Sequence, residues 1–356
     1  MHWAKRRVAN ARYSLGTSGV SEPPEAGALV LHAQAKLATP FASPENYYGI
    51  PALREAIAAA YDAPPEGVLV SDGTSLANYT ALAVLCGRGD RVIVESPTYP
   101  ALLEIPRWLG ASVEPWPRNP KDSWIPSIEE LERTLASGGP VRLVVLSRLH
   151  NPTGSDLPRP FLERLAALAA SHDFHVLLDE VYLDFVEGAA PGHTFGPPMV
   201  TTGSLTKAFG FGGLRVGWVL GEPQVIAAMR ELSFYLSVDG ATTAQRVAVE
   251  VLAQRERFLT RSRAIARDGI ERVQRWIDSR DDVSWTPPDG GLLGWVKLHH
   301  IEDTRRFAER LFEEEGVAIA EGDFFGWPGW TRLAFGAPPA RVDEALLRLG
   351  RALDRA

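Results

Sequence analysis

From Val68 to Leu220 the chain alternates short β-branched, apolar runs with longer stretches of helical periodicity. The candidate strands are Val68–Ser71, Arg91–Glu95, Arg142–Ser147, His175–Asp179, Val200–Ser204 and Leu214–Leu220. Helical patterns cover Pro51–Tyr61, Ser75–Leu85, Ala101–Leu109, Ser127–Leu135 and Pro158–Ser171. Strands separated by helices are read as parallel, because a parallel pair needs a crossover and a tight hairpin does not supply one. The expected fold class is therefore α/β: a mostly parallel sheet with helices on both faces. Ligands of such sheets bind at the carboxyl ends of the strands, so the residues that follow each run carry the interest.

Beyond about Pro223 the pattern changes. A long helical stretch, roughly Ala241–Trp276, leads into the turn-rich TPPDGGLLGW. Strands are expected near Leu293–Leu298, Gly316–Ala320 and Thr331–Phe335, with helices near Asp303–Glu314 and Pro339–Leu353. We divide the chain into an N-terminal arm (1–40) that packs on the small domain, a large α/β domain (41–240), and a long connecting helix with a small α+β domain (241–356). A cleft is expected between the two domains.

Composition narrows the function. The net charge of −7 argues against a chain built to hold nucleic acid or anionic lipid, and no apolar run reaches the ~18 residues of a membrane span. The single cysteine, Cys86, excludes a disulfide framework or a multi-cysteine metal site and fits a reducing cytoplasm. No metal site is expected. The basic start MHWAKRRVANARYSLG has no apolar core and does not read as a secretory signal. Only five lysines stand among 37 basic residues, so each deserves inspection.

Lys207 is the one placed for chemistry. It ends Gly203-Ser204-Leu205-Thr206-Lys207, just past a strand, and Arg215 follows eight residues later. Partial burial disfavours the charged amine, and a neutral amine is the form that attacks a carbonyl. Arg215, with the Ser204 and Thr206 hydroxyls, suits a phosphate. An isolated S-x-T-K reads more readily as a solvated lysine in a glycine-rich turn. Here it is accompanied. Asp179 ends its strand and Tyr182 follows in DEVY; a carboxylate there either caps a helix or keeps a heteroaromatic nitrogen protonated. Asn151, in HNPTG, is a turn residue or an amide donor to a phenolate-type oxygen. Ser71-Asp72-Gly73-Thr74-Ser75 joins a strand to a helix whose free N–H groups suit a phosphate. Tyr99, in ESPTYP, is placed to stack on a planar group.

The ordered set GTS, SPTYP, HNPTG, DEVY, SLTK and GLR-x-G resembles the class I/II aminotransferases, fold type I enzymes dependent on pyridoxal phosphate. YYGIPALREAIA, DGGLLGWVKL, EGDFFG and TRLAFG extend the likeness over nearly the whole chain. The resemblance implies a seven-stranded large-domain sheet and an aminotransferase moving an amino group between an α-amino acid and a 2-oxo acid. It implies that Lys207 carries the cofactor as a Schiff base and moves the substrate proton. Asp179 would pair with the ring nitrogen, Asn151 and Tyr182 with the ring hydroxyl, and Tyr99 would stack on the ring. Thr74, Ser75, Ser204, Thr206 and Arg215 would hold the phosphate, Arg332 the substrate carboxylate, and Gly19 would lie in the segment closing over the substrate. The start YSLGTSGV is similar to a divergent branch that includes capreomycidine synthase-like proteins.

The same resemblance implies a homodimer. Pro44 stands where relatives carry a tyrosine that reaches the neighbouring subunit, which leaves Tyr47 or Tyr48 for that contact. Asp239 could favour a cationic substrate side chain or cap the helix near Ala241. Lyase or cyclase chemistry would use the same residues, and a non-catalytic cofactor-binding protein would leave Lys207 idle. Gly210–Gly213 does not open a dinucleotide site, because a strand follows it where a helix is required.

Overall fold

In the computed structural model we describe residues 7–35 and 48–356. Strand β1 (Tyr13–Ser14) precedes the strands of the central sheet: β2 (Val68–Ser71), β3 (Arg91–Ser96), β4 (Ser112–Pro117), β5 (Val141–Ser147), β6 (His175–Asp179), β7 (Met199–Ser204) and β8 (Gly217–Leu220). The seven lie in the order β2-β8-β7-β6-β5-β3-β4, and β8 runs antiparallel to both neighbours. The α/β architecture is thus as expected. All of β7, and all of β5 but Arg142, is buried, because helices cover both sheet faces.

The sequence reading missed β4. Its SVEPWP carries two prolines, which an edge strand tolerates because one side needs no ladder donor. The strand expected from Leu214 begins only at Gly217: Gly212–Leu214 is a tight turn and Arg215 sits at φ 53°. The helix expected over Ala241–Trp276 is two, Thr242–Leu252 and Arg255–Asp278. The first packs against Pro51–Tyr61, while the second runs on to Pro339–Leu353. Arg255 spans the break, donating to the Ala60 carbonyl (2.8 Å) and to Asp184 (2.9 Å).

The smaller unit contains β9 (Val283–Trp285), β10 (Leu293–Leu298), β11 (Val317–Ala318), β12 (Ala320–Glu321) and β13 (Trp330–Ala334). An antiparallel sheet β12-β13-β10-β9 packs with Thr304–Glu315 and Pro339–Leu353 around Val296, Leu333, Phe307 and Leu349. The single strand expected over Gly316–Ala320 is split at Ile319: β11 pairs with β1 and β12 with β13. The N-terminal arm divides as well. β1 joins the small unit, whereas helix Ala26–Ala35 packs on Thr242–Leu252. Cys86 is buried; its thiol donates to the Leu82 carbonyl and burial pushes it up to about 11. Among the described residues no helix is long and apolar enough to cross a membrane.

One consequence of this topology places the site. The adjacent parallel strands β5, β6 and β7 end in Ser147, Asp179 and Ser204, so three polar side chains stand in a row at one sheet edge.

Candidate active site

A cavity of about 650 Å³ opens at that row, between the start of helix Thr74–Leu85, residues 16–18 of the arm and the small unit at Ile319, Ala320 and Arg332. Lys207, Asp179, Tyr182, Thr74, Ser75, Tyr99, Asn151, Ser204, Thr206, Arg215 and Arg332 all line it. Gly19 lies just behind: a Cβ built there would stand 3.3 Å from the Thr206 carbonyl and 3.8 Å from Lys207 Cδ. Residues spread over more than 250 positions of sequence are thereby brought into one cleft.

At one end the cleft is an anion cradle. Gly73, at φ 86°, caps helix Thr74–Leu85 without a side-chain hydrogen bond, so the first N–H groups remain for a ligand. A Cβ on Gly73 would meet Arg215 Nη2 at 2.2 Å, and one on Gly217 would meet Thr74 N at 2.7 Å. Only glycine lets these three segments close. Arg215 leans across, donating to the Asp72 carbonyl at 3.4 Å, while Ser204 Oγ accepts from Thr206 N at 3.2 Å.

At the floor, Asp179 is buried. Its Oδ2 accepts from Asn78 Nδ2 (2.8 Å) and its Oδ1 from Val181 N (3.1 Å). Thr202 Oγ1 donates to Asn78 Oδ1 at 2.6 Å, which fixes the amide so that Nδ2 faces the carboxylate. Burial raises the Asp179 pKa above the ordinary value; the bonds from Asn78 and Val181 and the charge of Lys207 oppose that rise. Asn78 was not picked out from sequence. Its signal is a polar residue four positions after Thr74, on the same helical face.

Lys207 Nζ donates to Ser18 Oγ at 2.6 Å and lies 5.9 Å from the Tyr182 ring centre. The Tyr182 hydroxyl donates to the Ser18 carbonyl at 2.9 Å, and burial pushes this phenol up to about 12. Tyr99 is held above its ordinary value by burial and then by the Asp179 charge. Arg332 Nη1 donates to Asn151 Oδ1 and Nη2 to the Gly16 carbonyl, both at 3.0 Å. Its Nε is buried and has no hydrogen-bond partner among the described residues. A buried guanidinium with an unspent donor is suited to a carboxylate.

Asn151 is itself held from below. Its N–H donates to Ser147 Oγ (3.1 Å), and Ser147 N and Oγ both donate to Glu95 Oε1 at 2.7 Å. Glu95 Oε2 accepts from Arg118 Nε at 2.8 Å, with both side chains fully buried. Arg118 also donates to the Trp124 and Ser147 carbonyls. Removing the carboxylate with Glu95→Ala strands a buried cation, so urea unfolding is expected to show a loss of about 3 kcal/mol or more. A loss below about 1 kcal/mol would show that the pair does not support the site.

His150, read from sequence as a turn residue, is wholly buried. Its Nε2 lies 2.8 Å from the Pro97 carbonyl, so Nε2 carries the proton and Nδ1 accepts from Thr153 Oγ1 at 2.8 Å. Burial, then the Arg118 charge, lowers its pKa well below the usual imidazole value, so it stays neutral. Asp239 does not line the cavity and does not cap the helix, whose N-cap Ala241 has no side-chain bond; its carbonyl accepts from Gln245 Nε2 at 3.0 Å. Tyr47 lies outside the described residues. Tyr48 stands under Arg230, with the guanidinium 5.4 Å from the ring centre, and does not line this chain's cavity.

Comparison with known proteins matches this arrangement to a family. The profile of aminotransferase class I and II covers residues 20–349. Capreomycidine synthase of Streptomyces vinaceus is 28% identical over 307 residues, spanning 85% of this chain and 78% of the relative. Aspartate/prephenate aminotransferase of Thermus thermophilus is 31% identical over 324 residues, spanning 86% of this chain and 82% of the relative. A PLP-dependent aminotransferase structure from Streptococcus suis superposes with a TM-score of 0.92 at 28% identity, covering 99% of this chain and 96% of that one.

Proposed function

Because the chain belongs to the aminotransferase class I and II family, and is a transferase dependent on pyridoxal phosphate, we propose which of its residues do the work. The observation that carries the assignment is the single cleft that joins an anion cradle, a buried carboxylate, an amine and a guanidinium with an unspent donor. These four features fit the cofactor and an amino acid. The uncapped helix start, Arg215 and the hydroxyls of Thr74, Ser75, Ser204 and Thr206 suit its phosphate. Asp179 suits its ring nitrogen, and Tyr99 its ring face. Asn151 Oδ1 is engaged by Arg332, which leaves Nδ2 as the donor toward the ring hydroxyl, with Tyr182 beside it. When bound, the cofactor supplies an electron sink for the charge that develops at the substrate α-carbon.

The chain's own residues then divide the labour. Arg332 holds the substrate carboxylate bidentately through donors that include Nε, and so orients the α-hydrogen toward Lys207. Lys207 Nζ takes the proton from the α-carbon of the amino-acid donor and, in the reverse half-reaction, delivers a proton to the α-carbon derived from the 2-oxo acid. Asp179 stays ionised opposite a cationic nitrogen, which adds to the bonds from Asn78 and Val181 in offsetting the cost of burying it.

Two finer readings follow. We propose a homodimer, supported by the apolar end of helix Pro223–Ser237, where Phe234, Leu236 and Val238 are exposed and Tyr235 is 81% exposed. Tyr47 or Tyr48 would reach the neighbouring cleft. We also place the protein in the cytoplasm, which its single cysteine supports. The likeness to the PLP-dependent cyclase OrfR, 26% identical with a TM-score of 0.89, favours, as a second reading, lyase or cyclase chemistry in the same cleft.

The discriminating experiment is the visible spectrum of the cofactor-loaded protein with single amino acids. Transamination is expected to convert the Lys207-bound cofactor band to the aminated form with one donor, and a 2-oxo acid is expected to restore it. Product formation that never needs a 2-oxo acid would replace transamination with the second reading.

A further inference from the structure

The described arm residues 16–20 meet the functional side chains one after another. Arg332 Nη2 donates to the Gly16 carbonyl, the Tyr182 hydroxyl to the Ser18 carbonyl, and Lys207 Nζ to Ser18 Oγ. Val20 N donates to the Lys207 carbonyl at 3.3 Å. The segment is anchored just before this: Leu15 N donates to the Ala318 carbonyl (2.8 Å), and Ala334 N to the Leu15 carbonyl (2.6 Å). Its backbone is therefore fixed to the small unit at one end and to Lys207 at the other.

We propose that Ser18 is a positioning residue for Lys207, holding Nζ in the cleft through its hydroxyl and tying the amine to the arm. This rests on the reading of Lys207 as the amine that binds the cofactor and moves the substrate proton.

The chemistry favours serine for the task. A lysine stem rotates freely about four carbons, so a fixed partner at 2.6 Å narrows the positions that Nζ can occupy. A hydroxyl has both a donor and acceptor lone pairs, so it accepts from the ammonium and donates to the neutral amine. It can thus hold Nζ in both protonation states without becoming charged. The contact also links two events. A substrate carboxylate arriving at Arg332 competes with the Gly16 carbonyl for Nη2, and Gly16 is only two residues from Ser18.

The test uses the full chain with Ser18→Ala and Ser18→Thr. In cofactor-free protein, acetylation of Lys207 by acetic anhydride is followed against pH by peptide mass spectrometry, with exposed Lys121 as internal reference. The bond Ser18 accepts from the ammonium is charge-assisted and stronger than the one it donates to the neutral amine, so its loss lowers the pH midpoint, by about half a unit or more in Ser18→Ala, while Ser18→Thr keeps the parent midpoint. Asp179, Tyr99, Tyr182, Arg215 and Arg332, the titratable and charged groups among the described residues that share the cavity with Lys207, are unchanged in both variants. In loaded enzyme, Ser18→Ala is expected to lower kcat about fivefold to tenfold with KM changed less than about twofold, and Ser18→Thr to restore it. A parent-like acetylation profile in Ser18→Ala overturns the proposal whatever the kinetics. A parent-like kcat overturns it as well. Lys207→Ala separates this from the parent reading: turnover retained there would remove the function of Lys207 itself.

Discussion

Lys207→Ala is expected to reduce turnover by roughly 10⁴-fold or more, since on the proposed assignment it removes both the group that binds the cofactor and the base at the substrate α-carbon. The fold should survive. The side chain points into a solvent-connected cavity, and the substitution gives up the bond to Ser18 and the position over the Tyr182 ring. None of the usual causes of large destabilisation applies, so the thermal midpoint of the cofactor-free variant should stay within a few degrees of the parent. Two further readouts belong to the same experiment. The loaded variant should lack the visible band of a lysine-bound cofactor, and added methylamine, which fits the space vacated by the stem, should recover part of the rate. Full activity in a folded Lys207→Ala protein would exclude the proposed role.

Asp179→Asn is expected to slow turnover by about 10²- to 10³-fold, because the amide replaces the buried carboxylate that we propose meets a cationic ring nitrogen. The substitution is nearly isosteric, and an amide oxygen can still accept from Val181 N. Its effect on stability should vary with pH. Burial raises the Asp179 pKa in the folded protein above the unfolded value of about 3.9. The folded state therefore holds this proton to higher pH than the unfolded state does. The group's contribution is most favourable below the unfolded pKa and is lost as pH rises through the window up to the folded pKa. Asparagine does not titrate. Without cofactor, the variant should gain in melting temperature relative to the parent as the pH is raised through that window. That gain is set against a lost bond, since the new Nδ2 faces Asn78 Nδ2, which Thr202 holds in place. With cofactor the parent should gain more in melting temperature than the variant, because the parent alone gains an ion pair on binding. Activity within tenfold of the parent would remove the carboxylate from the mechanism.

These expectations follow the conflict between stability and function that the site embodies. An ionised Asp179 and an Arg332 with an unspent Nε are costly in a folded protein until a ligand meets them. The Glu95–Arg118 pair beneath is different: its groups are hydrogen-bonded to each other and to the Ser147 and Trp124 carbonyls, so it acts as a fixed support. One layer is satisfied and rigid, and the next is left incomplete for the ligand.

What the sequence determined by itself was the alternation of strand and helix, and with it the ends of the strands. Ser147, Asp179 and Ser204 close three apolar runs, and a parallel sheet puts such residues at one edge whatever the remaining details. The order of the motifs did the rest, because Thr74, Tyr99, Asn151 and Lys207 each follow a strand of that sheet. Irregular elements were less legible. β4 is defined by its place at an edge, where prolines are tolerated, and the break at Ala253–Gln254 by two packing partners that no local residue announces.

Only the tertiary structure decided the contacts between residues far apart in sequence. Ser18 reaches Lys207, Gly16 reaches Arg332, and Asn78 reaches Asp179 across 101 positions. Asp239 offered a second carboxylate for the ligand beside its reading as a helix cap, yet it lies outside the cavity that Asp179 faces. The physical reason is one of range. Periodicity and turn chemistry act over a few residues and appear in the sequence, whereas a hydrogen bond between distant segments depends on how whole elements pack.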